Sequence, residues 1–157
     1  VGEYTVTDAE LDAAGLRFGV VVARFNDTIT RELLAGCVAE FVRRGAHPHD
    51  ISTCWVPGAF ELPLMAQQLA RSRSVDAVVC LGAIVRGETA HFDYVAMGAT
   101  QGILQAGLDT GVPVVFGVLT VDNQQQALDR IGGKEGHKGA EAALTAIEMA
   151  LLLRRIP

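Results

Sequence analysis

The sequence predicts an α/β fold: a doubly wound three-layer αβα sandwich around a central four-stranded parallel sheet. Three observations predict it. Short strand-like runs alternate with helical patterns along the chain. Those runs are apolar on both faces, as strands covered by helices on both sides must be. The 157 residues, 50% hydrophobic and 20% charged, suit one domain with a sizeable core. Right-handed crossovers then place helices on both faces of the sheet.

The elements follow in order. Residues 1–12 (VGEYTVTDAELD) are polar and mixed, and read as a tail or as an arm that a partner orders. Residues 16–23 are β-branched and apolar, the first strand. Asp27 or Thr28 caps the next helix, whose apolar positions Ile29, Leu33, Leu34, Cys37, Val38, Phe41 and Val42 recur at helical spacing until Gly45 stops it. Residues 51–56 form the second strand, Pro57-Gly58 a turn, and 59–71 a helix. Pro63 is tolerated there only in the first turn, where its missing N–H does no harm. Residues 75–81 form the third strand. The loop GAIVRGETA leads into a helix over 91–110, stopped by Gly111. Residues 112–119 form the fourth strand. Helices over 123–131 and 138–153 finish the chain, separated by the glycine-rich GGKEGHKG. No linker or internal repeat appears, so 1–157 reads as a single domain with an N-terminal arm.

Composition narrows the function classes. A net charge of -5 gives no support to nucleic-acid or membrane binding, both of which favour a basic patch. Cys37, Cys54 and Cys80 lie in apolar stretches without a CxxC, which reads as buried free thiols in a reducing cytoplasm. No stretch reads as a signal peptide or a membrane span. No histidine pair has metal-ligand spacing, so no metal is expected.

In a sheet of this class ligands bind at the carboxyl ends of the strands, so the residues after each strand form the candidate rim. Phe25 sits where a polar turn residue is expected; it either stacks on a flat ring or folds onto the core. Glu61 either complements a helix N-terminus or accepts hydrogen bonds from a polyol. Gly87-Glu88-Thr89 precedes a helix, where free N–H groups and the helix dipole favour an anion, while Thr89 also suits plain N-capping. His91 is placed either to shuttle protons or to serve the structure. Arg130, Lys134 and Lys138 form either a solvated basic face or a cationic clamp for phosphate. GGKEGHKG does not satisfy GxxxxGK[ST], and no GxGxxG follows the first strand, so a dinucleotide site is not expected. From spacing alone the reading stops at a site for a flat ring, hydroxyls and an anion.

The same segments resemble the lumazine synthase family, together and in order. They are GVVVARFND, WVPGAFELP, LGAIVRGETAHFDYV, VPVVFGVLT, and DRIGGKEGHKG followed by AIEMA. The resemblance runs over about residues 11–153, and PGAFELP and RGETAHFDYV are its specific motifs. It implies a flavodoxin-like strand order and condensation of 5-amino-6-(ribitylamino)uracil with 3,4-dihydroxy-2-butanone 4-phosphate. The product is 6,7-dimethyl-8-ribityllumazine, with release of phosphate and water and with no cofactor. By that likeness Phe25 stacks on the pyrimidine, Glu61 binds ribityl hydroxyls, and Ala59 and Phe60 line that pocket. Backbone at Ala83 and Ile84 meets the ring edge. Glu88, Thr89 and Arg130 hold the phosphate, and His91 moves protons. Phe116 and Lys138 come from a neighbouring subunit, since family sites lie between subunits. One departure is His137, where the family often has Asn.

Family rings are pentamers, and some close into a 60-mer icosahedral shell. The loop at 132–139 is of the short kind that goes with the shell. The arm then adds a strand to a neighbour's sheet. The resemblance also admits riboflavin synthase as a partner. Two competing readings are a non-catalytic flavin- or lumazine-binding paralogue or cage, and a flavodoxin-like electron carrier. The second lacks a Ser/Thr-rich phosphate loop after the first strand.

Overall fold

A computed structural model describes residues 2–157. Its frame is a four-stranded parallel sheet of β1 (Phe18–Ala23), β2 (Ile51–Val56), β3 (Ala77–Val85) and β4 (Val114–Val121), in the order β2-β1-β3-β4. The central strands earn their apolar composition: every residue of β1 is buried, as is β3 up to Ile84. Helices α1 (Asp27–Arg43) and α5 (Lys138–Arg155) cover one face, and α2 (Leu62–Arg71) and α3 (His91–Thr110) the other. Phe18 of β1 stacks on Phe41 of α1 with ring centroids 3.9 Å apart, both fully buried. On the α1 side glycine decides the approach: a Cβ on Gly139 of α5 would collide with the Leu33 carbonyl of α1.

Several boundaries differ from the sequence reading. The first strand begins at Phe18, because Leu16 is buried in a turn whose amide donates to the Ala13 carbonyl. β3 runs on to Val85, into the segment expected to be a loop, because β4 lies alongside it: Gly82, Ala83, Ile84 and Val85 pair with Val118, Leu119, Thr120 and Val121. β4 itself starts and ends two residues later than expected, with Val112 and Pro113 in the approach to the sheet. The helix expected over 59–71 is split into a 3-10 turn, Ala59–Glu61, and α2. Pro63 is the reason. It has no N–H to give the Ala59 carbonyl, and the Leu62 amide takes that acceptor instead.

The helix expected over 123–131 shortens to α4 (Gln124–Leu128). The glycine-rich segment after it is a small antiparallel hairpin of β5 (Ile131–Gly133) and β6 (Gly136–His137). Gly132 at φ +104° and Gly136 at φ +81° allow it.

The arm folds back on its own chain. Arg44 reaches the Asp8 carboxylate at 3.1 Å and carbonyl at 3.0 Å, and Arg155 of α5 holds the Glu10 carboxylate at 2.6 Å and the Thr5 carbonyl. Gly2, Glu3 and Tyr4 are exposed.

Candidate active site

The strand order reverses direction between β1 and β3, so the segments leaving their carboxyl ends diverge and open a crevice. A cleft of about 730 Å³ lies there. It brings together Phe25 and Asn26 after β1, Ala59, Phe60 and Glu61 after β2, Ala83 and Ile84 of β3, and Thr89 and His91 at the start of α3. Eight of the residues read from sequence as site candidates therefore share one cavity: Phe25, Ala59, Phe60, Glu61, Ala83, Ile84, Thr89 and His91.

Each is placed by a local cause. Asn26 stands at φ +64°, in the left-handed region that Asn tolerates better than most residues. That turn ends β1 abruptly and leaves the Phe25 ring 72% exposed at the cleft instead of folding it onto the core. Asn26, and not Asp27 or Thr28, holds the cap position of α1, but its side chain makes no capping hydrogen bond. The Asn26 amide instead donates to the Ala83 carbonyl at 2.8 Å, tying the end of β1 to the cleft floor. Phe60, 61% exposed, is seated against Gly98 of α3, where a Cβ would lie 2.6 Å from its ring. The next turn repeats the device, with Pro63 lying over Gly102. Glu61 precedes α2 but makes no capping hydrogen bond, so its exposed carboxylate is left to other partners.

Thr89 does not cap α3 in the ordinary sense. Ala90 holds the cap position, and the Thr89 hydroxyl accepts from the His91 amide at 3.3 Å. The hydroxyl and the imidazole thus stand together at the positive end of a 20-residue helix.

Arg86 buttresses this rim from outside. It donates to Asp122 at 2.9 Å, approaches Asp93 at 3.6 Å, and lies 4.3 Å from the Phe92 ring centroid. The hydrogen bond to Asp122, with help from Asp93, raises its pKa further, so it stays charged. One side chain thereby links the ends of β3 and β4 to the first turn of α3.

Four candidates lie elsewhere. Glu88 is exposed in the loop before α3 and does not line the cleft. Arg130, half-buried, donates to the Gln126 carbonyl at 2.8 Å between α4 and β5. Phe116 and Lys138 face a second groove of about 720 Å³, along the outer edge of β4 between α3 and α5. That groove is apolar, with Leu104 62% and Leu108 70% exposed. The cleft also contains residues that the sequence reading did not select, above all Asn26 and Tyr94. Tyr94 follows His91 by three residues, a spacing that puts both on one helix face and was available as a signal. The second role of Asn26 depends on a residue 57 positions away and left no local trace.

The profile of the 6,7-dimethyl-8-ribityllumazine synthase family matches residues 15–154, nearly the whole chain. The chain belongs to this family. A curated relative from Syntrophus aciditrophicus (strain SB), named 6,7-dimethyl-8-ribityllumazine synthase, is 54% identical over 152 residues, spanning 97% of this chain and 99% of the relative. The lumazine synthase match covers every segment that forms the cleft and every segment that forms the β4 groove. Chemically, the cleft offers a lumazine synthase three exposed aromatic rings, a carboxylate, and a hydroxyl and imidazole at a helix start. Those groups suit a flat ring, a polyol and an anion.

Proposed function

We propose that this chain condenses 5-amino-6-(D-ribitylamino)uracil with 3,4-dihydroxy-2-butanone 4-phosphate. The products are 6,7-dimethyl-8-ribityllumazine, phosphate and water, as befits its family. The observation that carries the residue assignments is the convergence of Phe25, Phe60, Glu61, Thr89 and His91 on one cleft.

Phe25 stacks on the uracil, with backbone at Ala83 and Ile84 meeting the ring edge. Glu61 accepts from ribityl hydroxyls beside Ala59 and Phe60. The phosphate sits at the start of α3 on Thr89 and the Glu88 backbone, with Arg130 as its guanidinium partner. The substrate amine attacks the ketone and water leaves to give a Schiff base. Phosphate is then eliminated, the resulting enol tautomerises to a ketone, and the ribityl-bearing amine attacks that carbonyl and expels a second water to close the ring. His91 relays the protons. Both substrates are reactive, so holding them together supplies most of the rate, and His91 adds about 10²–10⁴-fold. No cofactor enters this scheme.

The site is completed by a second copy. Phe116 and Lys138 lie in a groove apart from the cleft, on the free edge of β4, and we assign them to the neighbour's site. The apolar lining of that groove supports an interface there. We read the assembly as a pentameric ring, and the short hairpin over 131–137 favours closure of rings into a 60-mer shell. β2 has a free edge too, with Ser52 and Thr53 exposed, which an arm from a neighbour can extend as a further strand. Three free thiols fit a cytoplasmic protein. No helix among the described residues is long and apolar enough to cross a membrane. Riboflavin synthase, which would consume the product, is a candidate partner.

The test is direct. Purified protein is mixed with both substrates, and lumazine formation is followed by absorbance and fluorescence against an uncatalysed control. Acceleration that drops with Arg130→Gln and with His91→Ala, without vanishing in the latter, is expected. A rate equal to the control with folded protein would instead make the chain a non-catalytic flavin or lumazine binder. Light scattering that finds only pentamers would remove the shell.

A further inference from the structure

The imidazole of His137 occupies a slot framed by glycines from three elements. A Cβ on Gly36 of α1 would clash with the ring, one on Gly139 of α5 would lie 3.0 Å from it, and one on Gly132 of β5 would lie 3.8 Å from it. The ring also caps α5: Nδ1 accepts from the Ala140 amide at 3.3 Å. The backbone of His137 pairs with Ile131 in the hairpin. The hairpin's two flanking residues are Arg130 and Lys138, and the Lys138 amide donates to the Arg130 carbonyl at 2.8 Å. One side chain therefore fixes the hairpin to α1, and through α1 to the sheet. Nothing in the reaction scheme uses this residue.

We propose that His137 is a positioning residue for phosphate recognition, holding Arg130 and Lys138 at a set place relative to the sheet. This rests on the reading of Arg130 and Lys138 as phosphate partners. The slot accepts a ring because Gly36 and Gly139 lack a Cβ, whereas one on Gly132 would only touch it. The cap requires an acceptor at the position of Nδ1, which Asn also supplies and Ala does not.

Steady-state kinetics on the assembled protein test this, with each substrate varied in turn and inorganic phosphate as a competing probe. His137→Ala is expected to raise KM for the butanone phosphate, and to weaken phosphate inhibition, by about fivefold, the scale of a lost cap. KM for the ribitylaminouracil stays near wild type. His137→Asn restores most of the difference. Gly36→Ala expels the ring without touching the hairpin's sequence, and carries the same expectation should His137→Ala not fold. Equal rises in both KM values, or no rise in either, would overturn the proposal, as would failure of Asn to rescue. Arg130→Gln separates the two levels. If it leaves the phosphate KM unmoved, the phosphate reading fails and takes the proposal with it. If it moves that KM and neither His137→Ala nor Gly36→Ala does, the proposal alone fails.

Discussion

Replacing Asn26 separates two energies that meet at one residue. Its backbone is left-handed, at φ +64°, and its side-chain amide donates to the Ala83 carbonyl at 2.8 Å. Asn26→Gly keeps the turn, since Gly adopts that conformation freely, but loses the hydrogen bond, a net cost of about 1 kcal/mol. Asn26→Ala loses the same bond and keeps a Cβ in the left-handed region without the short polar side chain that lets Asn tolerate it, a further cost of about 1–2 kcal/mol. The expected totals are about 1 kcal/mol for Gly and about 2–3 kcal/mol for Ala. For a chain of this length those correspond to falls in Tm of about 3 °C and about 6–9 °C. Thermal melts should be compared at one protein concentration, because assembly couples to stability. The turn also aims Phe25 into the cleft, so KM for the ribitylaminouracil is expected to rise more in Ala than in Gly. An Ala variant as stable as the Gly variant would refute the assignment of backbone strain to this turn. A Gly variant as stable as wild type would refute the hydrogen bond's contribution.

Three further outcomes follow from the geometry. Gly139→Ala drives a Cβ into the Leu33 carbonyl, which is backbone and cannot move aside as a side chain would. Urea denaturation is expected to show a loss of about 3 kcal/mol or more, or failure to fold. Burial pushes the Cys37 and Cys80 thiols up to about 12, so neither presents thiolate near neutral pH. Alkylation at pH 8 should spare both until denaturant is added, and early labelling of Cys80 would contradict its burial. Hydrogen bonds from Arg155 and the Thr7 backbone hold the Glu10 carboxyl below its usual 4.5. A depressed carboxyl contributes fully above that value, and the contribution is lost as pH falls below it. Hydrogen exchange, corrected for intrinsic rate, should show the arm loosening in acid, and Glu10→Gln should abolish the step.

Much of the frame was legible in the sequence because helices and strands announce themselves by local periodicity. The four strands, the long helices α1, α3 and α5, and the glycine stops after α1 and α3 are each written within a dozen or so neighbouring residues. The rim residues were legible for a related reason. In an alternating βα chain, the segment after a strand is at the sheet's carboxyl edge wherever the strand lands. What the sequence could not supply was anything that depends on who lies beside whom. Gly82 to Val85 became strand only because β4 arrived to satisfy their backbone groups. The glycines of GGKEGHKG read as a linker, yet they permit a hairpin and make room for His137, whose slot is lined by Gly36 from α1, a hundred residues away in sequence. The cap expected at Asp27 or Thr28 falls to Asn26, whose side chain is a tie across the sheet. Phe25 and Phe116 both stand near strand ends or edges, and local pattern treats them alike. The strand order β2-β1-β3-β4 puts one at the crevice beside β1 and the other on an outer edge. Periodicity is a property of neighbours along the chain, whereas hydrogen-bond satisfaction and steric room are properties of neighbours in space, and only folding brings those together.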